Sequence, residues 1–403
     1  MNSTPRLPSV TNTRGHPPKF QQLIREKSEN FVDRPFIFTT IHDFLHKYDR
    51  GYFTLIGAPG SGKSAILAKY VTEHPHVIYY NAQIEGKNRA DEFLVTICNQ
   101  LIDYLRVTTK DFSDTSLPDN ATEGSWFLSL LLQKISDNLE PHQRLIIAID
   151  ALDAIAPNSQ PASSNLFYLP RYLPAKVYFL LTRRPFVRER SRLLIEAPSQ
   201  VLNLEDYPQQ NRDDVQAYIQ QWLREPGVRS QESGETEQNS SISPPLKRGV
   251  GGDLKELKER LIQQLTAQSE NNFMYLSQIL PAIAQDFSSK SFPINQLPSG
   301  LEAYYQSHLQ RMTGESLSSV ELGVLRCLAT PQPSINPLLK QQEISAEFIA
   351  ETIDEDEYEV EAVLENWIEF LQQQQIEGET YYRLYHSSFR HWLYQQFNLN
   401  QIS

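Results

Sequence analysis

The stretch Gly57-Ala58-Pro59-Gly60-Ser61-Gly62-Lys63-Ser64 decides the reading of this chain. Its spacing, G-x-x-x-x-G-K-[ST], is that of a phosphate loop. The glycines let backbone N–H groups turn inward around an anion, and the helix that follows adds the positive end of its dipole. Lys63 is placed to reach the β- and γ-phosphates, and the Ser64 hydroxyl to ligate Mg²⁺. The candidate binding set is therefore Gly57, Ala58, Pro59, Gly60, Ser61, Gly62, Lys63, Ser64 and Ala65. The context agrees: an apolar strand-like run, Tyr52 to Ile56, precedes the loop, and a helical segment, Lys63 to Tyr70, follows it.

Working outward, further strand-like runs stand at His76–Tyr80, Leu145–Ile149 and Val177–Leu181. Helical patterns at Ala90–Leu105 and Trp126–Leu139 separate them. Short, nearly continuous apolar strands alternating with helices predict a parallel sheet covered on both faces. The run Leu145-Ile-Ile-Ala-Ile149 ends in Asp150, which puts a carboxylate at the strand's C-terminal edge. Asp150 is the expected Mg²⁺ holder, through water, and Asp153 the residue that polarises an attacking water. Val177–Leu181 runs into Thr182-Arg183-Arg184-Pro185, where a cation at the strand tip could sense a γ-phosphate. Five arginines in the ten residues from Arg183 to Arg192 leave a solvated basic turn as the plainer reading.

After about Leu204 helices take over, at Asp213–Leu223, Leu254–Leu265, Leu301–Met312 and Ser319–Leu328. Residues 226–253, rich in Ser, Glu, Gln and Gly with two successive prolines, read as a disordered insertion. The last eighty residues read as helix, helix, a turn at Gly378, a strand at Tyr381–Tyr385 and a final helix, the order of a winged-helix module. The expected organisation is a flexible tail over 1–30, an α/β P-loop domain over 31–195, a helical lid over 196–312 and a winged helix over 313–403.

Composition narrows the function classes. The chain has 403 residues, 40% of them hydrophobic, enough for a sizeable core. No stretch approaches a membrane span, and Met1 to Gly15 lacks the apolar segment of a signal peptide. Two cysteines, Cys98 and Cys327, exclude a disulfide framework and fit a reducing cytoplasm. The net charge of −12 does not favour nonspecific nucleic-acid binding.

Together these residues resemble the signal-transduction NTPases with numerous domains (STAND), particularly their NACHT-like branch. Phe31-Val-Asp-Arg34 is similar to that family's opening F-V-G-R, with Asp33 in place of Gly. Leu169-Pro-Arg-Tyr-Leu-Pro174 and Phe179-Leu-Leu-Thr-Arg-Arg-Pro185 resemble its strand-and-sensor segment, which selects Arg184 over Arg183 as sensor. Asn211-x-x-Asp214-Val215-x-x-Tyr218-Ile219, Asn272-Phe273-Met274-Tyr275 and Leu297-Pro298-x-x-Leu301-x-x-Tyr304-Tyr305 resemble lid motifs, with Phe273 near the nucleotide base. Tyr385-His386-Ser387-Ser388-Phe389 resembles the closing motif, whose His touches the β-phosphate of ADP. The plainer reading of His386 is a helix cap.

The resemblance implies an ATP- or ADP-binding regulatory switch, with protein partners or self-association in the ATP state. It also departs from the family. D-G-L-D-E here reads Asp150-Ala151-Leu152-Asp153-Ala154, and no Glu follows the first Asp as it does in AAA+ enzymes, so slow hydrolysis is expected. Effector and repeat-sensor modules have no counterpart in the chain, which suits a core working with separate partners or a shortened relative. Two alternatives stand beside the switch. One is a DNA-associated AAA-type ATPase of the origin-recognition or loader kind; the other is a scaffold with a structural nucleotide. Thirteen acidic residues and no Lys or Arg between Lys340 and Arg383 argue against a DNA-reading helix at Glu357–Leu371, so nucleic acid is not an expected partner.

Overall fold

The computed structural model describes residues 16–108, 116–156, 159–161, 163–185, 193–224, 251–286, 299–314, 316–330, 343–376 and 378–399. They form two compact units. One comprises the described residues up to Gly57 with Lys63–Asp206; the other comprises Ala58–Gly62 with the described residues from Tyr207 on.

The first unit carries helices α1 (Pro18–Ser28) and α2 (Pro35–Lys47), strand β1 (Gly51–Ile56), α3 (Lys63–Glu73) and β2 (Ile78–Asn81). It continues through α4 (Ala90–Thr108), α5 (Trp126–Asn138), β3 (Leu145–Asp150), β4 (Val177–Arg183) and β5 (Ser199–Asn203). The strands make one sheet in the order β2-β3-β4-β1-β5, and every pairing is parallel. β3 is buried along its whole length and β1 and β4 along nearly all of theirs, as their unbroken apolar runs predict. Tyr52 and Tyr178 bring polar tips into this core and satisfy them, donating to Pro170 O and Tyr48 O, both at 2.6 Å.

Two expectations change here. Residues 18–28, assigned to a tail, form α1. Pro17 and Pro18 start the helix, and Phe20 and Ile24, one turn apart, are buried. The Phe20 ring meets Tyr79 and Tyr80 edge-on at 5.8 and 5.6 Å, and α1 packs along α3. The α/β unit also runs past residue 195, because β5 pairs with β1. β5 is an edge strand with Val201 56% exposed, and its Ser, Gln and Asn residues dilute the apolar signal.

The second unit carries α6 (Pro208–Arg224), α7 (Gly251–Ser269), α8 (Phe273–Asp286), α9 (Ser299–Thr313) and α10 (Ser319–Ala329). β6 (Ile344–Ser345), α11 (Ala346–Ile353), α12 (Glu357–Asn366), β7 (Leu371–Ile376), β8 (Glu379–Leu384) and α13 (Ser387–Leu399) complete it. The strands form an antiparallel sheet, β6-β8-β7. β7 and β8 are a hairpin turned at Gly378, so the strand expected near Tyr381 has a partner that the Gln-rich run 372–375 concealed. α12 stops at Asn366, short of the expected Leu371; Trp367 leaves helical geometry and its indole N–H donates to Met312 O at 2.9 Å.

One apolar core, from Val215 and Leu276 through Tyr305 and Leu325 to Phe389 and Leu393, crosses the expected boundary at 312/313 without a break. Residues 226–250 of the expected insertion lie outside the described residues, and Gly251–Asp253 open α7. Leu297, Pro298 and the arginines at 188, 190 and 192 also lie outside them. Among the described residues no helix is long and apolar enough to cross a membrane.

Candidate functional site

The sheet brings its chemistry to the carboxyl ends of its strands, where open α/β sheets bind ligands. β1 ends at Ile56 and leads into the glycine loop; Lys63 and Ser64 open α3. Register places Asn81 beside Asp150 and Ile56 beside Arg183. The sheet and loop together have the arrangement of a P-loop α/β core.

Lys63 is only partly exposed, and its ammonium donates to Gly57 O at 2.7 Å. Burial first and Arg184 second bring its pKa from 10.5 to about 8, against the opposing pull of Asp153, Asp150 and Glu205. The shift is the cost of taking the charge out of water, offset in part by the three carboxylates.

Asp150 is fully buried. One carboxylate oxygen accepts from the Thr182 hydroxyl; the other accepts from Asn81 Nδ2 at 2.8 Å and Tyr79 OH at 3.2 Å. Thr182 in turn accepts from Ala151 N at 2.9 Å. Burial raises the Asp150 pKa, opposed by hydrogen bonds from Thr182 and Ser64. Asn81, Tyr79 and Thr182 are thus the support of Asp150, none of which the sequence reading singled out. Ala151 holds φ +60°, the conformation for which its Gly counterpart in the family pattern is suited. Among the described residues no three His, Cys, Asp or Glu gather to hold a metal. Ser64 and Asp150, bonded to each other, are an oxygen pair suited to Mg²⁺ that also takes phosphate and water ligands.

Asp153 and Arg184 meet each other. Asp153 Oδ1 accepts from Arg184 N at 2.9 Å, and Oδ2 lies 3.2 Å from Arg184 Nε, with both side chains 8% exposed. The expected water-orienting acid and the expected γ-phosphate sensor are therefore an ion pair. Arg183 is also largely buried, which lowers its pKa to about 10.

The loop tip, Ala58–Gly62, belongs with the second unit. Gly60 and Gly62 take φ of +80° and +91°, and Ser61 N donates to Ala58 O at 3.2 Å. Gly60 O accepts from Phe273 N at 2.8 Å and Met274 N at 3.3 Å; Pro59 O accepts from Asn272 Nδ2 at 3.0 Å. The Phe273 ring itself packs edge-on against Tyr218 at 5.7 Å.

His386 is fully buried, and protein atoms occupy both of its ring nitrogens. Nε2 faces Ser269 O at 3.0 Å, so it carries the proton, and Nδ1 accepts from Ser388 N at 3.1 Å. Burial lowers its pKa, against Glu270. A phosphate contact at this ring would require one of these bonds to be exchanged. The plainer reading, a structural His at the start of α13, matches the Ser388 bond.

Residues 38–184 match the family model described as Nephrocystin 3, N-terminal. No curated protein matches the chain. Among solved structures, the chain is similar to the Walker-type ATPase paby2304 of Pyrococcus abyssi, at 15% identity and a TM-score of 0.49, covering 91% of this chain and 96% of that one. It is similar to a chain in the structure of Drosophila ORC bound to DNA, at 13% identity and 0.36, covering 94% and 99%. The Thermotoga maritima RuvB Holliday junction branch migration motor follows at 10% identity and 0.33, covering 89% and 95%. At such scores none of the three fixes the activity or partners of this chain.

Proposed function

We propose that the chain binds ATP or ADP with Mg²⁺ at the glycine loop and acts as a slow, nucleotide-dependent regulatory switch of the STAND kind. The observation that carries the reading is the glycine loop at the carboxyl end of β1, with the Lys63 ammonium donating to Gly57 O at 2.7 Å beside Ser64 and the fully buried Asp150. Bound Mg²⁺ would neutralise phosphate charge. Ser64 and Asp150 would hold it, Lys63 would bind phosphate oxygens, and Thr182, Asn81 and Tyr79 would fix the Asp150 carboxylate. The Asp153–Arg184 pair supports low turnover, because neither side chain is available for water or γ-phosphate until the pair parts. On this reading the elements from α6 to α9 are the lid and those from α10 to α13 the winged helix, and both are surfaces for protein partners or self-association.

The exclusion of nucleic acid is not carried forward. The acidic face of α12 speaks only for that helix, and the Drosophila ORC to which the chain is similar is bound to DNA. The test is nucleotide released from the purified, denatured chain, with Lys63→Met as control, and MgATP turnover with and without duplex DNA. Bound ADP and slow turnover unaffected by DNA support the switch. DNA-stimulated turnover supports the loader-type ATPase, and a chain that neither retains nor binds nucleotide refutes both.

A further inference from the structure

Asn272 stands 213 residues from Pro59 in sequence and touches it directly. The side chain is 6% exposed, and both ends of its amide are engaged. Oδ1 accepts from Tyr275 N at 3.0 Å, which caps α8, and Nδ2 donates to Pro59 O at 3.0 Å. The amide orientation is fixed chemically, since Tyr275 N needs an acceptor and Pro59 O a donor. The next two residues continue the grip, with Phe273 N and Met274 N both donating to Gly60 O. Asn272 N donates back to Ser269 O at 2.7 Å across a turn in which Glu270 and Asn271 both take positive φ.

We infer that Asn272 is a positioning residue of the phosphate loop, holding the Pro59 and Gly60 carbonyls so that the following N–H groups face an incoming phosphate. A trans peptide directs its C=O and the next N–H in opposite directions. Pinning Pro59 O and Gly60 O on Asn272 and the start of α8 therefore turns the N–H groups of Gly60 and Ser61 away from that helix. The Ser61 N–H donates to Ala58 O at 3.2 Å, a bond that an incoming phosphate would replace. Without the pin, the glycine-rich tip has many conformations to lose on binding an anion, and affinity falls. Gly60 shows how closely the two are fitted. It occupies a variable position of the motif, yet a Cβ there would lie 2.1 Å from Asn272 Oδ1, and its φ of +80° disfavours any other residue. The inference rests on the nucleotide reading of the loop, and its test separates the two.

Asn272→Ser keeps a capping oxygen for α8 and loses the donor to Pro59. Asn272→Asp keeps shape and cap and sets an acceptor against that carbonyl. ADP titrations by calorimetry and thermal unfolding without nucleotide are run on both and on wild type. The expected result is about a 10-fold weaker ADP affinity in Asn272→Ser and a larger loss in Asn272→Asp. Nucleotide-free Asn272→Ser should stay folded and melt no more than about 3–6 °C below wild type, with a larger drop in Asn272→Asp. Gly60→Ala should cost less in the Asn272→Ser background than alone, because the two residues share one contact. ADP affinity within 2-fold of wild type in Asn272→Ser overturns the inference. So does failure of both variants to fold, which would make Asn272 a helix cap and nothing more. Folded wild type that binds no ADP refutes the nucleotide reading and this inference with it.

Discussion

Replacing Lys63 by Met should stabilise the nucleotide-free protein while abolishing nucleotide binding. The fold lowers the Lys63 pKa from 10.5 to about 8. At 1.36 kcal/mol per pH unit, that is about 3 kcal/mol by which folding disfavours the charged side chain at neutral pH. The sign follows from proton counts. Between pH 8 and 10.5 the unfolded chain holds the Lys63 proton and the folded chain does not. The cost is therefore complete below pH 8 and fades as the pH rises to 10.5. Met fills a similar volume without the charge. Partial solvent access to Lys63 and the donor lost to Gly57 O take back part of the gain, leaving about 1–2 kcal/mol. For a unit of this size that is a rise of about 3–6 °C in melting temperature at pH 7. Calorimetry of both proteins at pH 7 and pH 10, with and without ADP, reads all terms. The gain should be present at pH 7, shrink at pH 10, and be matched by loss of the ADP-induced rise. A variant that melts lower than wild type at pH 7 without nucleotide would refute the account of Lys63 as an under-compensated cation.

Nucleotide affinity should itself fall with pH, since only the protonated Lys63 neutralises phosphate: up to about 10-fold per pH unit above pH 8 in ADP titrations of the unmodified chain, and an affinity unchanged between about pH 7 and pH 10 would refute the role given to Lys63. Thr182→Val removes the donor to Asp150 and the acceptor of Ala151 N, both buried, and should cost about 2–3 kcal/mol in urea unfolding; a cost below about 0.5 kcal/mol would mean water replaces it. Arg184→Ala leaves Asp153 buried opposite an empty space and should destabilise by about 3 kcal/mol, with Asp153→Ala in the same chain recovering part of the loss. Phe20→Ala should cost about 3 kcal/mol, a value that a detachable tail could not produce.

What could be read from the sequence was local. The glycine spacing, the unbroken apolar strands and the Asp150 at the end of one of them each lie within ten residues, and each is where the pattern put it. The misreadings share a different cause. β5 owes its existence to pairing with β1, and as an edge strand it carries Ser199, Gln200 and Asn203 rather than an apolar run. α1 signals itself only through Phe20 and Ile24 among polar neighbours. Its stability comes from Tyr79 and Tyr80, far along the chain. Thr182 reaches Asp150 across 32 residues and Asn81 across 69, so the support of the carboxylate appears only when the strands are set side by side. Arg184 and Asp153 each carry a plausible role alone, and nothing in their spacing says that they neutralise each other.

That neutralisation bears on what kind of device the site is. A site built for turnover keeps its charged groups aimed at the place where charge develops. Here the two ends of the chemistry are treated differently. Lys63, the binding group, is held where its charge is under-compensated, so that an anion gains from meeting it. Asp153 and Arg184, the groups expected to act on water and γ-phosphate, are ion-paired at 3.2 Å with both side chains largely buried. Separating them costs free energy that binding would have to supply, and only a ligand or partner that engages one of them can do so. On the proposed reading, a buried ion pair that holds hydrolysis back while nucleotide stays bound would give a switch its long-lived states, and Ala151 and Ala154, standing where the resembled patterns carry acids, would act in the same direction. If Arg184→Gln left MgATP turnover per bound nucleotide unchanged, the pair would be scaffolding and the restraint would have to lie elsewhere. Turnover that changes several-fold in either direction would place the pair in control of the chemistry.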